Sequence, residues 1–205
     1  MSKANRSKRV FINCPYDVTH KPVFDQVLFT IHDCGFQAVF AAQDVGGSVR
    51  ITRIVELLLS CQYSIHVLSG VQLSGRFRVP RFNMPFEAGI AYAMKHLDGR
   101  RHDLLLLDSK PYRYQASLSD AAGLDIKIYN RNKPVISCVR HFLATHTDLP
   151  LSTYGGEKLI KRYKLFRSHL LKLLPDLGIS LSEIEKWDYA NDLQALMTLF
   201  IEENK

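Results

Sequence analysis

The chain has 205 residues, 46% of them hydrophobic and 23% charged, a balance that supports a full core and calls for no disordered segment. Its formal charge of +7 is localised: residues 1–9 carry +4, residues 158–172 carry +6, and the remainder together carry −3. That distribution argues against a nucleic-acid-binding body, and no apolar run approaches the ~20 residues of a membrane helix.

Strand and helix patterns alternate from the start. RVFINCP (9–15) is β-rich and ends at a proline. HKPVFDQVLFTIHDCG (20–35) sets Val23, Phe24, Val27, Leu28 and Ile31 at helical spacing, with Gly35 as a stop. FQAVFA reads as a second strand, AQDVGGSV as a loop, RITRIVELLLSC as a helix and YSIHVLS as a third strand. A polar segment from Gly70 to Arg81 precedes a helix beginning near Asn83. DLLLLDS (103–109) has the unalternated apolar run of a strand buried on both faces. YRYQASLSDAAG reads as a short helix, DIKIYN as a fifth strand and KPVISCVRHFLATH as a helix.

This order predicts an α/β fold: a five-stranded parallel sheet in a flavodoxin-like three-layer sandwich with a C-terminal helical extension. The expected boundaries are a basic tail at 1–8, a nucleotide-binding domain at 9–150 and the extension at 151–205. In the extension Leu159, Tyr163, Phe166, Leu170, Leu173 and Leu177 recur every three or four residues. They describe an amphipathic helix with a break near Pro175, followed by helix over 181–203. The Lys158–Lys172 face opposite this seam is a solvated surface, an interface, or a contact for anions.

MSKANRSKRV has no apolar stretch behind its charges, so no secretory signal is expected and the cytoplasm is the expected compartment. Cys14, Cys34, Cys61 and Cys138 form no CxxC pair and read as reduced thiols facing the core. The histidines lack HExxH spacing, so no metal is expected. Phosphate loops of the GxxxxGK[ST] and GxGxxG types are missing, which disfavours kinase and hydride-transfer chemistry, and GVQLSG is not the GxSxG elbow of a serine hydrolase.

The stretch PRFNMPFEAGIAYAMKHL (80–97) places one carboxylate, Glu87, about a turn inside a helix that Asn83 would cap and that tolerates Pro85 in its first turn. The helix dipole favours the ionised form there. Ala88, Gly89 and Ala91 allow close approach to the sheet or a ligand. In an open parallel sheet ligands bind beyond the carboxyl ends of the strands. A carboxylate at that rim suits chemistry at an electrophilic sugar carbon. The alternative is an acid that only stabilises a helix terminus, worth roughly 0.3–1 kcal/mol.

VFINCP, SIHVLSG and above all RFNMPFEAGIAYAMK resemble a bacterial Toll/interleukin-1 receptor-like (TIR-like) family, over roughly residues 9–145. That family is related in fold to nucleoside 2-deoxyribosyltransferases, whose nucleophilic glutamate lies in a stretch similar to FEAGIA (86–91). The resemblance implies that Glu87 is catalytic and that the substrate is NAD, cleaved at its N-glycosidic bond or cyclised, in anti-phage defence or signalling. No metal or prosthetic group is implied, NAD itself being the substrate. The transferases carry an aspartate near the end of the third strand, where this chain has Leu68 and Ser69, so nucleoside transfer proper is disfavoured. The loop after the second strand, QDVGGSVR, brings Asp44 and Arg50, either to the ligand or to solvent.

Around Glu87, Phe11 would stack on a base or belong to the core. Asn13 would bond a ribose or close a turn. Arg81 and Asn83 would hold hydroxyls or phosphate, unless Arg81 is a surface residue with no such task, and Ser69 completes the candidate binding residues. Tyr112 or Tyr114 would cover the ligand or pack a loop. The expected partners are a nucleotide and either further copies of the chain or a partner protein of a defence system, with no membrane and no nucleic acid. Two other readings stay open: a non-catalytic nucleotide sensor or oligomerising adaptor, and a hydrolase like the deoxyribosyltransferases.

Overall fold

The computed structural model describes residues 6–41, 50–69, 82–97, 101–114, 118, 123–147 and 154–205. Five strands form one parallel sheet: β1 (Arg9–Asn13), β2 (Gln37–Val39), β3 (Tyr63–Val67), β4 (Asp103–Asp108) and β5 (Ile126–Ile128). Their order is 2-1-3-4-5, the flavodoxin-like arrangement with its switch point between β1 and β3. Register pairs Asn13 with His66, Val67 with Leu107 and Asp108 with Ile128, so the polar ends of β1, β3 and β4 reach one rim together. β3 is buried along its whole length, as expected for a central strand of a parallel sheet. No helix among the described residues is long and apolar enough to cross a membrane.

The chain divides into two compact units, each discontinuous in sequence. The first comprises residues 1–15, 39–41 and 47–134. It holds α2 (Arg50–Leu59) and α3 (Asn83–Leu97). Phe11, Ile54, Leu57, Leu58, Cys61 and Ala91 form one core cluster, and Leu68, Ala88 and Leu106 another. Arg6, read from sequence as part of a tail, donates to the carbonyls of Leu59 and Arg101. Of the expected tail, residues 1–5 lie outside the described residues.

The second unit comprises residues 16–38, 42–46 and 135–205. The division therefore does not follow the expected boundary at 151: α1 (Lys21–Asp33) and α4 (Val135–His146) group with α5 (Gly156–Leu173), α6 (Leu181–Ile184) and α7 (Ala190–Glu203). The physical reason is aromatic packing. Phe29 of α1 stacks on Phe166 of α5 at 5.7 Å, and Phe200 of α7 meets Phe166 edge-on at 5.5 Å. A bidentate pair reinforces this, with Arg162 donating to Asp33 at 2.7 and 2.9 Å and also to the Asn204 carbonyl at 2.8 Å. The expected break near Pro175 is made by Gly178 at φ +66°, whose left-handed backbone lets the Ile179 amide reach the Leu174 carbonyl. Ser180 and Glu183 then form a reciprocal capping box that starts α6.

Lys21 and Asp25, both buried, pair at 2.7 Å within α1, and the ammonium lies 5.8 Å from the Trp187 ring. Burial pushes the Asp25 carboxyl up, and Lys21 opposes that shift. Removing one partner strands the other charge. Asp25→Ala is therefore expected to cost about 3–5 kcal/mol, while the double change Lys21→Met with Asp25→Leu costs far less; denaturant midpoints of the two variants check this.

Candidate functional site

The residues of interest gather in the first unit, where α3 packs against β1, β3 and β4. Asn83 is the first helical residue rather than the cap, and the first helical bond runs from the Phe86 amide to the Phe82 carbonyl. Pro85 is accommodated because amides this early have no partner within the helix. Glu87 consequently lies in the second turn, where the dipole has largely decayed.

Ala88 and Ala91 are the small contacts of α3. Ala91 meets Phe11 and α2, and Ala88 meets Leu68 and Leu106. Gly89 does not share this role, since it is exposed and a Cβ there would meet nothing within 4 Å. Gly89→Ala is therefore expected to stabilise the protein by about 0.5–1 kcal/mol, read as a rise in melting temperature.

Glu87 is 6% exposed. The sequence reading expected an ionised carboxylate, and the structure reverses that: burial pushes its pKa up to about 7, with the Arg50 charge opposing the rise. No hydrogen bond to this carboxyl is found among the described residues. Loss of solvent outweighs the faded dipole and one cation. A carboxyl of this kind is half-ionised at neutral pH, and the approach of a positive charge would pull it toward the anion.

Asn13, at the end of β1, is buried and its amide is engaged. It donates to His66 Nδ1 at 3.0 Å and to the Met84 carbonyl in the first turn of α3 at 3.3 Å. Its role is therefore to tie the switch point to α3 rather than to offer this amide to a ribose. The bond also sets the His66 tautomer. Nδ1 must accept, so Nε2–H donates to Ser64 Oγ at 2.9 Å, and Ser64 in turn donates to His102 Nε2 at 2.9 Å. Asn13, His66, Ser64 and His102 thus form a buried polar chain within the sheet layer. Burial lowers the His66 pKa to about 3, helped by His102, and lowers that of His102 to about 4, so both rings are neutral. Sequence reading missed this chain; the signal was the polar pair Ser64 and His66 alternating within an otherwise apolar strand.

Phe11 is 1% exposed inside the core cluster and presents no face to a base. The exposed aromatics of this region are instead Phe82 and Phe86, four residues apart at the start of α3. Ser69 is buried and its hydroxyl bonds the Tyr129 hydroxyl at 2.8 Å, joining the ends of β3 and β5. After β4, the buried Asp108 carboxylate accepts from the Ser109 amide at 2.6 Å and from the Arg113 guanidinium. This clamp holds a tight turn in which Tyr112 takes a left-handed φ of +59° and projects into solvent. Tyr114 is half-buried. Asp44 and Arg81 lie outside the described residues, as do 43–49 of the loop after β2 and most of the short helix expected after Tyr114.

The site is thus a nearly dry carboxyl, half-ionised at neutral pH, on the helix that packs at the switch point of an open parallel α/β sheet. Comparison with protein-family models, with curated proteins and with solved structures finds no match to the chain.

Proposed function

We propose that the protein is a cytoplasmic, TIR-like N-glycosidase acting on NAD or a closely related nucleotide, in bacterial defence or signalling, with Glu87 as the catalytic residue. The observation that carries this reading is the Glu87 carboxyl, held out of water without a hydrogen-bond partner among the described residues and titrating near 7. Among the described residues such a group has no hydrogen bond to stabilise. It interacts best with a cation, and both the ribosyl–pyridinium bond of NAD and the oxocarbenium-like state formed as it breaks are cationic. Phe82 and Phe86 offer stacking surfaces, and Tyr112 a cover. The ionised carboxylate would shield the anomeric carbon or attack it as nicotinamide leaves, and water or a ring atom of the same substrate would complete hydrolysis or cyclisation.

The slight exposure of Glu87 and the engagement of the Asn13 amide also favour a second reading, a nucleotide sensor that binds without turnover. Incubating the purified chain with NAD, and separately with nucleosides, and following the released base distinguishes them. Nicotinamide release lost in Glu87→Gln supports the glycosidase. Binding by calorimetry with no release supports the sensor, and release from free nucleosides alone supports a hydrolase like the deoxyribosyltransferases.

A further inference from the structure

We propose that the outer face of α5 in one copy of the chain docks on the outer face of α7 in another, giving a head-to-tail assembly. On α5 the exposed residues Lys161, Lys164, Leu165, Leu171 and Lys172 share one side of the helix. Leu165 is 54% exposed and Leu171 53%. The inward cations of the same helix are already matched: Arg162 pairs with Asp33 and Arg167 with Glu185. Lys161, Lys164 and Lys172 have no ion-pair partner among the described residues.

α7 presents the counterpart. It contains no lysine or arginine. Its exposed side carries Asp192, Ala195, Leu199, Glu202 and Glu203, with Leu199 54% exposed. These acids likewise have no ion-pair partner among the described residues. Each stripe places charges at both ends of an apolar centre. Lys161 to Lys172 and Asp192 to Glu203 cover equal sequence spacings, about 16 Å of helix in each case. The α5 stripe carries three positive charges, with the exposed Glu157 one turn before Lys161 on the same side, and the α7 stripe carries three negative charges.

The occupant that satisfies both stripes is a second copy. An anionic surface would satisfy α5 alone and would repel α7. Because the two patches differ, each docking leaves one of each kind free, and copies add into a ring or a filament. A contact between single helices is smaller than the ~800 Å² per partner of a standard interface. Association should therefore depend on concentration and weaken with salt.

Sedimentation velocity of the full chain over a concentration series, at low and at high salt, tests this. Species larger than the monomer should form at low salt and disperse at high salt. Lys161→Glu with Lys164→Glu, and separately Asp192→Lys with Glu203→Lys, should each weaken self-association by ~10-fold or more. All four positions are exposed, so circular dichroism should show both variants folded. Mixed in equal amounts, the two variants should associate again, because each then carries the stripe the other needs. A wild type that stays monomeric at low salt overturns the proposal, as does association that survives both reversals. Failure of the mixture to recover overturns it too. Loss of binding to phosphatidylserine vesicles in the Lys161→Glu, Lys164→Glu variant, without any self-association, would assign α5 to a lipid surface instead.

Discussion

Glu87→Gln is expected to lose turnover by ~10³-fold or more and, at pH 8, to become more stable than the wild type. The two halves of this result come from one cause. At pH 8 the folded wild type carries an ionised carboxylate in a nearly dry position, with a pKa of about 7 against an ordinary 4.5. Carrying that charge costs roughly 3 kcal/mol. Glutamine removes the charge but buries an amide with needs of its own, so a gain of about 1–3 kcal/mol is expected. For a chain of this length that is roughly 2–4 °C in melting temperature per kcal/mol. At pH 5 the folded wild-type carboxyl is protonated, the cost of the charge falls below about 1 kcal/mol, and the advantage of glutamine should largely disappear. An acid present only to support the helix terminus predicts the opposite sign, a loss of stability on replacement. If the anion is the active form, kcat/KM should rise with pH through about 7. Arg50→Gln removes the cation that opposes the shift, so the inflection should move upward.

The fold was legible because its signals were local. The apolar run Leu104–Leu107 between Asp103 and Asp108 admits little but a buried strand, and the five strands fall where their patterns place them. The break after α5 was equally visible in Pro175, although the turn itself is made by Gly178. The grouping of α1 and α4 with the C-terminal helices was not, because it rests on Phe29, Phe166 and Phe200, which are far apart in sequence. The same distinction applies at the site. FEAGIA pointed to Glu87, but whether its carboxyl is ionised depends on burial, which spacing does not encode. Phe11 and Phe86 are chemically identical in the sequence, yet one lies in the core and the other in solvent. Asn13 read as a rim residue because its partners, His66 and Met84, come from elements 53 and 71 residues away.

Acidification should destabilise the protein steeply between pH 6.5 and 4, through three neutral histidines. His66 titrates at about 3, while His102 and His32 titrate at about 4, in each case chiefly because burial disfavours the imidazolium. His32 also accepts a hydrogen bond from Gln194 at 3.0 Å, a role only the neutral ring can fill. In the unfolded chain all three would titrate near 6.5. Over this window the unfolded state therefore binds about three more protons, and stability falls as pH falls. Glu87 works in the other direction. Its folded carboxyl takes up a proton near 7 and its unfolded one near 4.5, so the folded state holds one extra proton across most of the same range. The net difference of about two protons gives a slope of roughly 2–3 kcal/mol per pH unit around pH 5.5, against a nearly flat profile between 7 and 8. Guanidinium midpoints taken from pH 8 to pH 5 measure it. His32→Gln and His66→Gln should each reduce the slope by about half, since each removes about one of the net two protons. Glu87→Gln should steepen it, because a group that gains a proton on folding is gone. A profile that stays flat from pH 7 to 5 would mean that the rings of His66 and His102 reach solvent and that the chain from Asn13 to His102 does not form.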